Sequence, residues 1–429
     1  MNSHLSERGS ELAKPSSSLL LRSFAAVAAQ PDKILNFGTA ENKLVWDWVQ
    51  PRLAAAGESL AIGHTSYQSR VGSHAFREAF APVIAAVTGA DEVDPAHLAA
   101  SAGVSGIIDA VCSCVCDPGD AVLIPSPYYG GFHLDCELQA QCKIYPCPCV
   151  EENDFAITAE CLEIGWNAAI ADGRRVRMVI LTLPGNPTGT HYGKDTLQAV
   201  ANWCEQHQVH LLSDEVYALS VYSEDFPFCS MWQCDFSPEY RQHCLHIAYG
   251  TSKDFGLAGH RCGLLYSHNA SLLTAMGAHM FFAQCSSLVQ FSLTSVLQDG
   301  QWQESMVPLL RHRLRWRAKA STALLDAAGI RYITPTAGLF VFAKLMPICE
   351  SPEAEVALHE FLLESGVYIP PGTAGFKCPV NGWFRILYSF DWPVLREGWR
   401  RILSVVLDDA ALLESALAAF DAVASQDSA

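Results

Sequence analysis

The sequence predicts an α/β protein: a large domain built on a mostly parallel central sheet, joined to a smaller α+β domain. Three observations carry this. Short apolar runs alternate with helix-period segments through the middle of the chain, which is the pattern of a sheet covered by helices on both faces. Polar, motif-like segments follow directly after the apolar runs, where parallel α/β sheets place their ligands. Beyond Gln301 the pattern changes to long helices around a few strands.

The elements follow in order. Residues 1–33 are rich in Ser and Ala and read as an N-terminal arm with one helix. Leu19 to Ala29 is apolar, interrupted by Arg22, and lacks the basic start of a targeting peptide. Residues 34–66 are assigned to the smaller domain, 67–300 to the large domain and 301–429 to the C-terminal part of the smaller one. Ala75, Phe76, Ala79, Phe80, Val83, Ile84 and Val87 have helical spacing, with Ser73 as N-cap and Gly89 as stop. Ala121 to Ile124 reads as a strand followed by a helix after Tyr129. Met178 to Leu183 leads to a helix over Lys194 to Gln206, and strands are expected at Val209 to Leu212 and His246 to Tyr249. In the last part the expected strands are Leu339 to Ala343 and Trp383 to Tyr388.

Composition excludes several classes. Among 429 residues, Lys and Arg number 28 against 45 Asp and Glu, a net charge of −17. A nucleic-acid binder needs a basic surface to displace phosphate counterions, so no nucleic-acid partner is expected. No apolar run approaches the roughly 20 residues that span a bilayer, so no membrane partner is expected either. Sixteen cysteines include the alternating Cys112, Cys114 and Cys116 and the Cys147-Pro-Cys149 triplet, but no C-x-x-C pair of the zinc-binding kind. Reduced, mostly buried thiols and a cytosolic compartment are the expectation, with no metal.

Four segments carry the chemistry: LPGNPTGT (Leu183 to Thr190), SDEVY (Ser213 to Tyr217), SKDFGLAGHR (Ser252 to Arg261) and FRILYS (Phe384 to Ser389). They supply the groups that hold and use pyridoxal 5'-phosphate (PLP). Lys253 follows a strand and two hydroxyl residues, and its amine can form a Schiff base with the cofactor aldehyde and then carry a proton. That task calls for a lysine pKa lowered by burial and nearby cations. Asp214 can keep the pyridine nitrogen protonated, while Tyr217 and Asn186 can hydrogen-bond the 3-oxygen. SAGVSG (Ser101 to Gly106) places the amides of Val104 and Ser105 at a helix N-terminus, where a phosphate binds. Ser252 and Arg261 complete that cradle, and Tyr129 in PSPYYGGF can lie over the ring. Arg385 is the candidate clamp for a substrate α-carboxylate. Each segment alone is common; their joint occurrence in this order is not.

On these motifs the chain resembles the fold-type I PLP enzymes of the class I/II aminotransferase superfamily, over roughly Ile34 to Ser404. More closely, it resembles the 1-aminocyclopropane-1-carboxylate (ACC) synthase-like branch. FGTAENKL (Phe37 to Leu44) looks like that family's A-E-N segment, and PYYGGF is similar to its P-Y-Y-P-G-F. The resemblance implies a homodimer with active sites at the subunit interface, the arm lying on the partner, and Glu41 near the substrate side chain. Two positions depart from the family pattern. A serine expected three residues before the lysine is Gly250, and a tyrosine donated by the neighbouring subunit is replaced, in QSRVG, by Arg70. Arg70 could reach across to the phosphate and restore the donors that Gly250 removes.

The implied activity is PLP chemistry on an α-amino acid through an external aldimine, with transamination ranked first. Carbon–sulfur (cysteine-conjugate) β-lysis is ranked next, in a setting of specialised metabolism. ACC formation comes third, because both departures bear on it. A non-catalytic PLP-fold regulator is set aside, since the chain is acidic and its arm is too short for a DNA-binding module.

Overall fold

The computed structural model describes residues 4–6, 9–10, 19–225 and 227–428. Part of the expected N-terminal arm, residues 1–3, 7–8 and 11–18, lies outside them. Among the described residues twelve strands run in chain order: β1 (Leu35–Asn36), β2 (Leu98–Ser101), β3 (Ala121–Ser126), β4 (Lys143–Pro148), β5 (Val176–Thr182), β6 (His210–Asp214), β7 (Leu245–Gly250), β8 (Gly263–Ser267), β9 (Tyr332–Ile333), β10 (Phe340–Lys344), β11 (Val367–Tyr368) and β12 (Trp383–Leu387).

Seven of them form the central sheet in the order β2-β8-β7-β6-β5-β3-β4. Only β8 runs against the others, pairing antiparallel with both β2 and β7. A strand buried on both faces alternates its apolar side chains between two cores. Thus Met178 and Ile180 pack on one face with Ile107, Val111 and Ala248, whereas Val179 and Leu181 pack on the other with Leu211 and Ile247. The expected run Met178 to Leu183 is this strand, displaced by two residues at its start.

Local signals explain the boundaries. The helix His74–Thr88 starts where the Ser73 hydroxyl accepts from Phe76 N, and ends at Gly89 in the left-handed conformation. The Lys194–Gln206 helix has the expected limits. β4 and β8 of the central sheet have no counterpart in the sequence reading, nor do the two-residue strands β1, β9 and β11. β4 contains Pro146 and Pro148, which cannot donate to a ladder; the strand is tolerated because it lies at the sheet edge. β8 is a short run that begins two residues after Arg261.

A three-stranded sheet, β12-β10-β9, and the parallel pair β1-β11 form the second part of the structure. Because β1 pairs with β11, residues just after the N-terminal arm are built into the same part as the C-terminal third. The Leu19–Ala29 helix docks there: Ser23 Oγ lies 2.9 Å from His359 Nε2, and Phe24 meets Tyr368 edge-on at 6.0 Å. Among the described residues no helix is long and apolar enough to cross a membrane, no His/Cys/Asp/Glu cluster could hold a metal, and the sixteen cysteines are unbridged.

Candidate active site

The parallel strands deliver the chemistry to one edge. Asp214 is the last residue of β6, in register with Thr182 at the end of β5, and Asn186 follows four residues later. Lys253 lies in the turn after β7, and Tyr129 follows β3. Val104 and Ser105 open the Val104–Val115 helix just beyond β2. Arg261, with φ +50°, lies two residues before the antiparallel β8, a strand that starts at the edge where the others end. Arg385 comes from β12 of the other sheet. These residues, with Tyr217 and Ser252, line a single cavity of about 210 Å³.

Close approach at this edge requires glycine. Gly103 has φ +93°, and a Cβ there would collide with the Arg261 guanidinium. Gly250 serves a related end: a Cβ would meet Val104 Cγ2 at 2.9 Å and Cys262 O at 3.0 Å. The missing serine is therefore more than a lost hydroxyl, because Val104 occupies its space.

Lys253 is half-buried, and its Nζ donates to Ala40 O at 2.7 Å. Burial lowers its pKa to about 8, with the Arg385 charge adding to the effect and Asp214 and Glu41 opposing it. The backbone of the turn is held by Asn42, whose Nδ2 donates to the carbonyls of Lys253 (3.0 Å) and Asp254 (3.2 Å). Asp254 in turn accepts from Leu219 N at 3.0 Å and Tyr249 Oη at 3.1 Å. The A-E-N segment thus positions the lysine through Ala40 and Asn42.

Asp214 is 6% exposed, and burial raises its carboxyl to about 7, with the neighbouring Asp135 adding to the rise. Its Oδ1 has no hydrogen-bond partner. A buried carboxylate oxygen without a donor is costly unless a cation or N–H meets it. Arg385 is also buried; Nη1 donates to Asn186 Oδ1 at 2.7 Å, and Nη2 donates to Gly38 O. Its Nε is unpartnered, and the rings of Phe376 and Phe340 lie 4.7 and 4.8 Å away. Among the described residues Arg385 forms no salt bridge; burial lowers its pKa, and the nearby phenols of Tyr217, Tyr368 and Tyr129 oppose that shift. Arg261 donates to the carbonyls of Ala258 and Ala102. Tyr217 is buried edge-on against Phe340, with centroids 5.5 Å apart.

Two expected residues stand outside the cavity. The Glu41 carboxylate pairs with Lys43 at 2.8 Å, 44% exposed. The Arg70 guanidinium is exposed, 5.1 Å from the Phe281 ring. Three lining or positioning residues carried no sequence signal that was used. Asn42 lay beside Glu41 in the quoted segment. Asp135, raised by burial to about 6 and bonded to Ser105, sits one helical turn after Phe132. Phe24 reaches the cavity from the N-terminal helix.

A family model for aminotransferase class I and II matches residues 32–402. The chain belongs to this family. It is similar to 1-aminocyclopropane-1-carboxylate synthase of Glycine max, 30% identical over 399 residues that cover 89% of this chain and 82% of that protein. A second relative is 1-aminocyclopropane-1-carboxylate synthase 2 of Arabidopsis thaliana, 32% identical over 379 residues, covering 85% and 76%. Among solved structures, a double mutant of Thermus thermophilus aspartate aminotransferase matches with a TM-score of 0.79 at 24% identity, covering 94% of this chain and 99% of that one. The aromatic aminotransferase from Pyrococcus horikoshii matches with 0.75 at 22%, covering 90% and 98%. At these identities the structural matches speak for the fold.

The protein is a PLP-dependent enzyme, as its family is. Its residues fit that cofactor: a half-buried amine of lowered pKa, an unpartnered Asp214 oxygen, and helix-terminal amides beside Arg261 at a glycine-lined turn.

Proposed function

We propose that this enzyme transaminates an α-amino acid, with Lys253 as the Schiff-base and proton-carrying amine, Asp214 as the partner of the pyridine nitrogen, and Arg385 as the α-carboxylate clamp. The single observation that carries the reading is the meeting in one cavity of a half-buried amine lowered to about 8, an unpartnered buried carboxylate oxygen, and a guanidinium with no acidic partner among the described residues. When bound, PLP supplies an aldehyde and an electron-accepting ring.

The remaining steps belong to the chain. At Nζ, Lys253 alternates between neutral base and ammonium acid, which a pKa near the working pH permits. Asp214 holds a proton on the ring nitrogen by meeting it with an ionised, desolvated oxygen. Asn186, its Oδ1 taken by Arg385, has its amide hydrogens left to donate to the ring oxygen, as does the Tyr217 phenol. Val104, Ser105, Ser252 and Arg261 would hold the phosphate, and Tyr129 would cover the ring face. Arg385 is already fixed by Asn186 and Gly38, so it can bind a carboxylate at little further entropic cost.

A homodimer is part of the proposal. Ile62, Tyr67 and Phe282 are 89%, 104% and 94% exposed, and Arg70 lies beside Phe281 in the same region. Large apolar side chains this exposed favour burial against a second copy. Sixteen unbridged thiols support a reducing, cytosolic setting.

The test is a panel of α-amino acids, cysteine S-conjugates and S-adenosylmethionine, assayed together for keto acid, ammonia and ACC. Keto acid that forms only with an amino acceptor supports transamination. Ammonia and pyruvate from S-conjugates would replace it with β-lysis, and ACC would replace it with ring closure.

A further inference from the structure

A second cavity of about 570 Å³ adjoins the first and shares Phe24, Gly38, Tyr129 and Arg385 with it. It is therefore continuous with the carboxylate clamp and extends away from Lys253 between the N-terminal helix and the smaller sheets. Its walls carry Leu21, Phe24, Leu134, Tyr368, Phe376 and Ala374. Leu21, Phe24, Tyr129 and Leu134 are each between 39% and 50% exposed. Four large apolar side chains open to solvent around one cavity are held at a solvation cost that a buried apolar ligand would remove.

The charges are one-sided. Arg22, Lys377 and Arg385 line the cavity, and among the described residues no Asp or Glu does, although the chain as a whole carries −17. The one histidine present, His133, is already engaged by Tyr128 Oη at 3.0 Å and Glu137 at 3.1 Å. A positively charged side chain entering here would be desolvated beside three cations with no carboxylate to receive it. A small side chain would leave the apolar wall wet.

We propose that this cavity receives the substrate side chain and that the enzyme selects α-amino acids with a bulky, apolar, uncharged side chain, aromatic or thioether, and rejects cationic ones such as a sulfonium. This rests on the proposed clamp at Arg385 and deepens that reading. The helix Leu19–Ala29 then acts in specificity: Phe24 stands at the junction of the two cavities, held by its edge contact with Tyr368 and by the Ser23–His359 hydrogen bond.

The experiment titrates the full-chain holoenzyme with single amino acids, without an amino acceptor, and follows the cofactor absorbance, so binding and the first half-reaction are read apart from turnover. Half-saturation by L-phenylalanine and S-benzyl-L-cysteine is expected at concentrations at least tenfold below those for L-alanine, L-lysine and S-adenosylmethionine. Phe24→Ala, a change at a part-exposed position, should weaken L-phenylalanine about tenfold and leave L-alanine within twofold. Ala374→Glu should narrow the gap between L-phenylalanine and L-lysine at least tenfold. Equal half-saturation across the panel, tighter binding of the cationic compounds, or an unchanged preference in both variants would overturn the inference. If no amino acid alters the spectrum, the proposed amino-acid site itself is wrong, a result distinct from a flat preference.

Discussion

If Lys253 is the working amine, its ionisation in the protein without cofactor is measurable and should be far from that of an ordinary lysine. Burial brings it from 10.5 to about 8. That difference is about 3 kcal/mol between the charged and neutral forms, at roughly 1.4 kcal/mol per pKa unit. At pH 7 about 10% of the amine would be neutral, against roughly 0.03% for an unshifted lysine, a gain of about 300-fold in the reactive form. Competitive labelling of the apoprotein with acetic anhydride, quantified by peptide mass spectrometry across pH 6 to 11, reads this residue individually. Its labelling should reach half-maximum near pH 8 and level off above pH 9. Arg385 is the second cause of the shift and Asp214 opposes it. Arg385→Gln should therefore move the midpoint up, and Asp214→Asn should move it down. A midpoint at 10 or above in the parent, or midpoints that ignore both substitutions, would refute the electrostatic argument for the site.

Asp214→Asn should keep PLP but lower turnover by orders of magnitude, several kcal/mol in the barrier, because an amide cannot hold the ring nitrogen protonated. In the apoprotein the same change should stabilise. The folded carboxyl is raised to about 7 from 3.8, so between those values the folded state binds more protons and stability falls as pH rises. The variant should gain on the parent by up to about 4 kcal/mol at pH 8 and by almost nothing at pH 4 in urea unfolding; parallel pH profiles would dismiss the burial argument. Arg385→Lys should raise the apparent substrate constant about 10- to 100-fold with little change in PLP affinity, because a point charge cannot reproduce a two-pronged clamp. An equal loss for a decarboxylated amine analogue would show that no carboxylate is held there. Arg70→Ala should release PLP faster while the dimer is intact, and the difference from the parent should vanish in protein dilute enough for the dimer to dissociate. Identical PLP retention in parent and variant would remove Arg70 from the cofactor site.

The sequence by itself determined the alternation of strands and helices and the identity of half the cavity residues, among them those that carry the chemistry. The buried strands β5, β6 and β7 are apolar runs long enough to read, and helix starts such as Ser73 are written in side chains that cap locally. Lys253, Asp214, Asn186, Arg261 and Arg385 were legible because each sits in a short segment whose residue types have little reason to occur together otherwise. What only the tertiary structure decided depends on groups far apart in the chain. β4, with its two prolines, is a strand only because an edge position asks for hydrogen bonds on one side. The lysine pKa follows from burial and from Arg385, 132 residues away, once β12 is brought over the edge of the central sheet. The same folding turns Glu41 outward to Lys43 and Asn42 inward to the lysine turn, a choice between neighbours that no spacing rule makes. It also closes Val104 over Gly250 and sets Phe24 at the mouth of the second cavity, because those contacts are fixed by packing between elements and not by the preferences of either segment alone.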